Sequence, residues 1–162
     1  MRSIPSQVAK YDTLYLRLAL AASFLAAVTD RFGIWGPPGT TNVAWGDWNH
    51  FLAYVAVLNP ELPHSWIPGL GGFVTFAELI LAMALVVGYQ TRTAAFLAGL
   101  LLLAFAVGMT IGTGIKSALN ASVFSASAAA FLLARVSTYP WSVDAWRAVR
   151  GAPAPGPAVA AA

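Results

Sequence analysis

The chain has 162 residues, 59% hydrophobic and only 9% charged, with a formal net charge of +3 at pH 7. A soluble domain carries roughly 25% charged residues, so the composition points to one compact membrane domain rather than soluble modules. Cysteine is absent, which excludes disulfide exchange, thiolate catalysis and Cys-ligated metal or iron–sulfur sites. The nine Lys and Arg residues are scattered and form no patch, which argues against nucleic acid as a partner.

Four apolar segments follow in chain order, near residues 12–32, 72–89, 93–112 and 117–134. Each approaches the ~20 residues that span ~30 Å of hydrocarbon. They predict an all-α, integral-membrane four-helix bundle that forms one domain over residues 1–150. The first segment reads as a retained helix rather than a signal peptide. Arg17 lies within it, Asp12 precedes it, and Asp30-Arg31 stands where a clean cleavage region would be expected.

The connection 33–71 is the largest extramembrane piece. Its Gly36-Pro37-Pro38-Gly39 run ends the first helix. A short interfacial helix is predicted near residues 45–58, capped by Asn42 or Asp47. Trp48, Phe51, Leu52, Val55 and Leu58 share one of its faces. Asn59-Pro60 stops it, and Pro63, Pro68 and the glycines from Gly69 to Gly72 lead into the second span.

Ala104, Gly108 and Gly112 on the third span recur every four residues, as do Ser122, Ala126, Ala130 and Ala134 on the fourth. Such spacing lets helix backbones approach closely in lipid, and predicts that these two spans form a tight antiparallel pair. Trp141 and Trp146 beside Arg147 and Arg150 predict a second interfacial helix near 141–150. The Ala/Pro/Gly-rich tail 151–162 is expected to be disordered.

Lys and Arg distribution sets the orientation. With the N-terminus inside, the inner side carries Arg2, Lys10, Arg17, Arg92, Arg135, Arg147 and Arg150, and the outer side only Arg31 and Lys116. Both termini are therefore expected in the cytoplasm, with the connection 33–71 outside. Arg17 reads as a snorkelling anchor to the inner headgroups, and Arg92 as a topology anchor.

Glu78 is the one acid in the apolar run from Phe73 to Tyr89. An ionisable group there costs at least ~2.5–3.5 kcal/mol, so it has a partner or a task. By helical rise it lies ~9 Å below the outer boundary. Topology puts Asp30, Arg31, Lys116 and Asn120 in the same layer, beneath a loop with Trp48 and His50. These seven residues are the candidate ligand- or proton-handling set. His50 and His64 are too far apart for a short metal motif, and no catalytic triad or phosphate loop is visible.

The stretch from Glu78 through Gly88 to Thr91-Arg92 resembles the second-helix signature of the DoxX family. The stretch Gly114-Ile-Lys116 through Asn120, Ser122 and Phe124 resembles its fourth helix, and Arg17-Leu with Asp30-Arg31-Phe-Gly33 its opening. The resemblance covers most of residues 12–134. It implies a four-helix protein of the bacterial inner membrane, in a family linked to thiosulfate:quinone oxidoreductase and to oxidative-stress complexes. On that basis the chain is expected to be a small subunit of a quinone-linked oxidoreductase system. Quinone is the implied ligand, no cofactor is covalently bound, and the lipid bilayer and an oxidoreductase subunit are the implied partners. A homo-oligomer is also compatible. The alternative expectation is a non-enzymatic scaffold or small-molecule carrier in which Glu78, paired with Lys116 or Arg31, only staples the helices.

Overall fold

The computed structural model describes residues 6–151. All regular structure among them is helical: α1 (Ser6–Asp30), α2 (Trp48–Leu58), a 3-10 turn (His64–Trp66), α3 (Ile67–Val87), α4 (Thr91–Thr113), α5 (Ile115–Asn120), α6 (Val123–Ala134) and α7 (Val143–Gly151). Apart from Gly151, the tail expected to be disordered lies outside the described residues. Three helical stretches, Lys10–Asp30, His64–Val87 and Thr91–Thr113, are long and apolar enough to cross a membrane.

Local chemistry explains most boundaries. Asp47 starts α2, its side chain accepting from the His50 N–H at 2.9 Å. This is the better of the two expected caps, because Asn42 sits at φ 67 in the loop before it. Pro68 occupies the first turn of α3, where a missing N–H costs nothing. The glycines expected to precede the second span therefore lie inside its helix. Gly88 ends α3 in the left-handed region at φ 70.

The fourth apolar segment is not one helix. α5 has 6 residues and α6 has 12, and Ser122 between them sits at φ 55. No glycine marks this break, so the residue pattern alone read through it.

The core is built from small residues. Ala94, Ala95, Ala98 and Leu102 of α4 pack with Ala130, Leu133 and Ala134 of α6, and with Leu20, Ala21, Phe24, Leu81, Ala82 and Leu85 from α1 and α3. α4 and α6 approach closely, as expected, but at a different register on α4. A Cβ on Gly99 would fall 2.8 Å from the Phe131 ring, and Ser127 Oγ donates to the Gly99 carbonyl at 2.8 Å. Ala104 is exposed. Gly108 and Gly112 face Val57 and Leu58 at the end of α2. The spacing of small residues found a close approach but assigned part of it to the wrong neighbour.

Candidate functional site

Three charged groups are buried where α1 ends. Asp30, Arg31 and Glu78 are 5%, 2% and 2% exposed. Asp30 closes α1 and turns its side chain toward the following loop, where Oδ2 accepts the N–H groups of Ala44 at 3.0 Å and Trp45 at 2.9 Å. This fold-back carries the Trp45 ring to 5.3 Å from the Arg31 guanidinium carbon, while α2 brings Phe51 to 4.0 Å on the same group. Guanidinium over aromatic faces is favourable where water is excluded.

Arg31 Nη1 donates to Thr75 Oγ1 at 2.6 Å and meets Glu78 Oε2 at 2.5 Å. Thr75 and Glu78 lie three residues apart and so share a face of α3. Thr75 in turn donates to the Gly71 carbonyl at 2.8 Å. One arginine thus binds α1, α2 and α3 through an ion pair, a hydroxyl and two rings.

The cluster is not fully satisfied. Asp30 Oδ1 and Arg31 Nε have no hydrogen-bond partner, and Glu78 Oε2 touches Arg31 without hydrogen-bond alignment. Unmet polar atoms in a buried charged network are costly.

An open groove of about 290 Å³ runs beside the cluster, lined by Val28, Phe32, Trp48, Gly72, Thr75, Phe76 and Leu79. Phe32 and Trp48, both in its lining, stack on each other with centroids 6.0 Å apart. Thr75 belongs to both environments, since it lines the groove and holds Arg31. The arrangement can accept an apolar chain along the groove and a hydrogen-bonding head at Thr75. A larger groove of about 440 Å³ lies between Leu52, Ala56, His64 and Ile67; Arg31 and Glu78 line neither groove, and the smaller one reaches the pair only through Thr75.

The structure brings together Asp30, Arg31 and Glu78 and sets Trp48 in the groove wall. It does not bring in the other three candidates. Lys116 and Asn120 are exposed on α5, and Lys116 makes no ion pair among the described residues. Among the described residues, no ion pair or hydrogen bond joins either of them to Arg31 or Glu78. His50 is exposed and pairs with Asp47 at 2.9 Å. The His50 N–H and ring hold the Asp47 carboxyl below its usual value, so this pair belongs to the α2 cap.

Comparison of the chain with family models, with curated proteins and with solved structures returned no match.

Residue reasoning missed Thr75 and Phe51 as members of the site. The helical spacing of Thr75 to Glu78 was the available signal. It also misread Arg17, which is fully buried, with its guanidinium bound to backbone carbonyls. Its Nε donates to the Leu85 carbonyl at 2.9 Å, Nη2 to Val86 and Trp141 at 3.2 Å, and Nη1 to Pro140 at 3.1 Å. Arg17 therefore caps the C-terminal carbonyls of α3 and ties the segment before α7 to them. Arg92 is exposed, but its Nε donates to the Ala134 carbonyl at the end of α6 at 3.2 Å.

Proposed function

We propose that the chain is a DoxX-like protein of the bacterial inner membrane that binds a quinone beside the Arg31–Glu78 pair, as a small subunit of a quinone-linked oxidoreductase system. In this reading α5 and α6 together form the fourth crossing of a four-helix bundle. The Lys and Arg distribution puts both termini in the cytoplasm.

The observation that carries the reading is the double position of Thr75, in the groove wall and on Arg31. A quinone-type molecule matches this position, with an isoprenoid tail for Val28, Phe76 and Leu79 and, in the quinol form, a ring hydroxyl that donates to the remaining lone pair of Thr75 Oγ1, whose own proton goes to the Gly71 carbonyl. Quinone, when bound, supplies the two-electron chemistry, and the partner subunit supplies the other redox centre. The residues of this chain hold the head, exclude water with Trp45 and Phe51, and offer the Glu78 carboxylate as the group that takes or returns a proton.

The second reading, a scaffold or carrier whose charges only staple the helices, is favoured by the direct 2.5 Å contact between Arg31 and Glu78. Titrating the purified full chain with a short-chain quinol separates the two. The first reading predicts saturable binding that weakens about tenfold in Thr75→Val, the worth of one good hydrogen bond, and is restored in Thr75→Ser. Binding that does not saturate, or that ignores both substitutions, leaves the staple.

A further inference from the structure

The opposite end of the bundle carries a second charged arrangement, where α3 ends at Val87, α4 begins at Thr91 and α6 ends at Ala134. α7 is fastened there. Asp144 accepts the N–H groups of Gln90 at 2.9 Å and Thr91 at 2.7 Å, and its own N–H donates to the Gly88 carbonyl at 3.0 Å. Arg147 then lies 4.8 Å over the Tyr89 ring, and Arg150 lies 3.9 Å over Trp146. Arg92 reaches the Ala134 carbonyl, next to Arg135.

Arg92, Arg135, Arg147 and Arg150 are all exposed. The acid among them, Asp144, is occupied by backbone N–H groups. Trp146 and Val149 on α7 are 54% and 77% exposed, and Trp141 before it is 57% exposed. Guanidinium groups alternating with exposed apolar side chains, level with the ends of membrane-length helices, match the phosphate and acyl boundary of one leaflet.

We propose that α7, with Arg92 and Arg135, forms a binding rim for anionic phospholipids, the guanidinium groups engaging headgroup phosphates while Trp146 and Val149 enter the acyl boundary. The proposal requires the helices to be membrane-embedded and is independent of any ligand at Arg31. Because Asp144 ties α7 to the α3–α4 turn, lipid bound at this rim should also stabilise the turn.

The test is thermal unfolding of the full chain in neutral detergent, titrated with phosphatidylglycerol, phosphatidylcholine or inorganic phosphate. Phosphatidylglycerol should raise the unfolding temperature at lower mole fraction than phosphatidylcholine, and added salt should shrink the difference. Arg147→Gln and Arg150→Gln, made separately and together, should weaken that preference about fivefold per arginine, each variant being read against its own unfolding temperature in phosphatidylcholine. Equal titration by the two lipids, an unchanged preference in the double variant, or the same shift from inorganic phosphate alone would overturn the proposal.

Discussion

Arg31 donates to Thr75 at 2.6 Å across 44 residues of sequence, and that contact joins a sealed ion pair to a groove that opens on the bundle surface. The same guanidinium is held by Glu78 and covered by Phe51 and Trp45. Its surroundings fix it in place while leaving Nε without a partner.

Removing one member of this pair should be far worse than removing both. Glu78→Gln leaves the Arg31 charge buried without its counter-ion, a loss of ~3–5 kcal/mol. The double variant Arg31→Met with Glu78→Leu should recover most of that loss. Thermal unfolding of Arg31→Met, Glu78→Leu and the double variant closes the cycle. A Glu78→Gln protein as stable as the parent would mean that the pair is not buried as described.

How far the site was legible follows from what each signal can encode. Glu78, and the Asp30-Arg31 step, stood out because charge in apolar sequence is expensive at any depth. Lys116 and Asn120 were grouped with them because charge patterning reports depth along the membrane normal. It carries no information about which side of the bundle a residue faces. Arg17 carried the same signal as Glu78 but lay near the start of the predicted span 12–32, where snorkelling is the ordinary solution; in the structure it falls in the middle of α1. What decided its role was the set of carbonyls left over by the α3 terminus, a tertiary fact. The break at Ser122 was illegible because serine gives no local sign of a left-handed turn.

Arg17 should not tolerate lysine. Its planar fork reaches four carbonyls on two separate segments, whereas an ammonium is a compact point charge. Arg17→Lys should cost at least ~2 kcal/mol, the scale of hydrogen bonds made by a charged donor. It should also loosen the segment before α7, seen as faster amide exchange near Trp141. Protection equal to the parent would contradict the capping role.

Asp144 predicts an acid-sensitive fastening of α7. Partial burial opposes ionisation, but the backbone N–H groups of Thr91 and Gln90 outweigh it and hold the carboxyl below its ordinary value. A carboxyl depressed on folding contributes fully above its unfolded value of about 3.9, and the contribution is lost as pH falls through the lower folded value. Asp144→Asn should therefore be less stable than the parent at neutral pH and converge with it in strong acid. Stability curves that run parallel across the whole range would contradict the assignment.

Two glycines of one helix should respond oppositely to alanine. A Cβ on Gly108 meets Leu58 no nearer than 3.6 Å, whereas one on Gly112 would collide with the Val57 carbonyl and lie 2.7 Å from the Leu58 Cα. Gly108→Ala should be neutral or stabilising by up to ~1 kcal/mol, as in an ordinary helix interior. Gly112→Ala should cost ~1–3 kcal/mol by pushing α2 away. Similar thermal shifts for the two would contradict the packing of α2 on α4.

The central claim, that the groove beside Arg31 is a binding site, is tested most directly by plugging it. Gly72 lines the groove, and a Cβ added there meets nothing within 4 Å. Gly72→Leu therefore starts from a Cβ with free space and adds bulk at the groove wall. The measurement is the affinity of a short-chain quinone for the full chain, parent against Gly72→Leu, with thermal unfolding run alongside. The account predicts saturable binding to the parent and its loss in the variant at unchanged thermal stability. Equal affinity for the two proteins would contradict it.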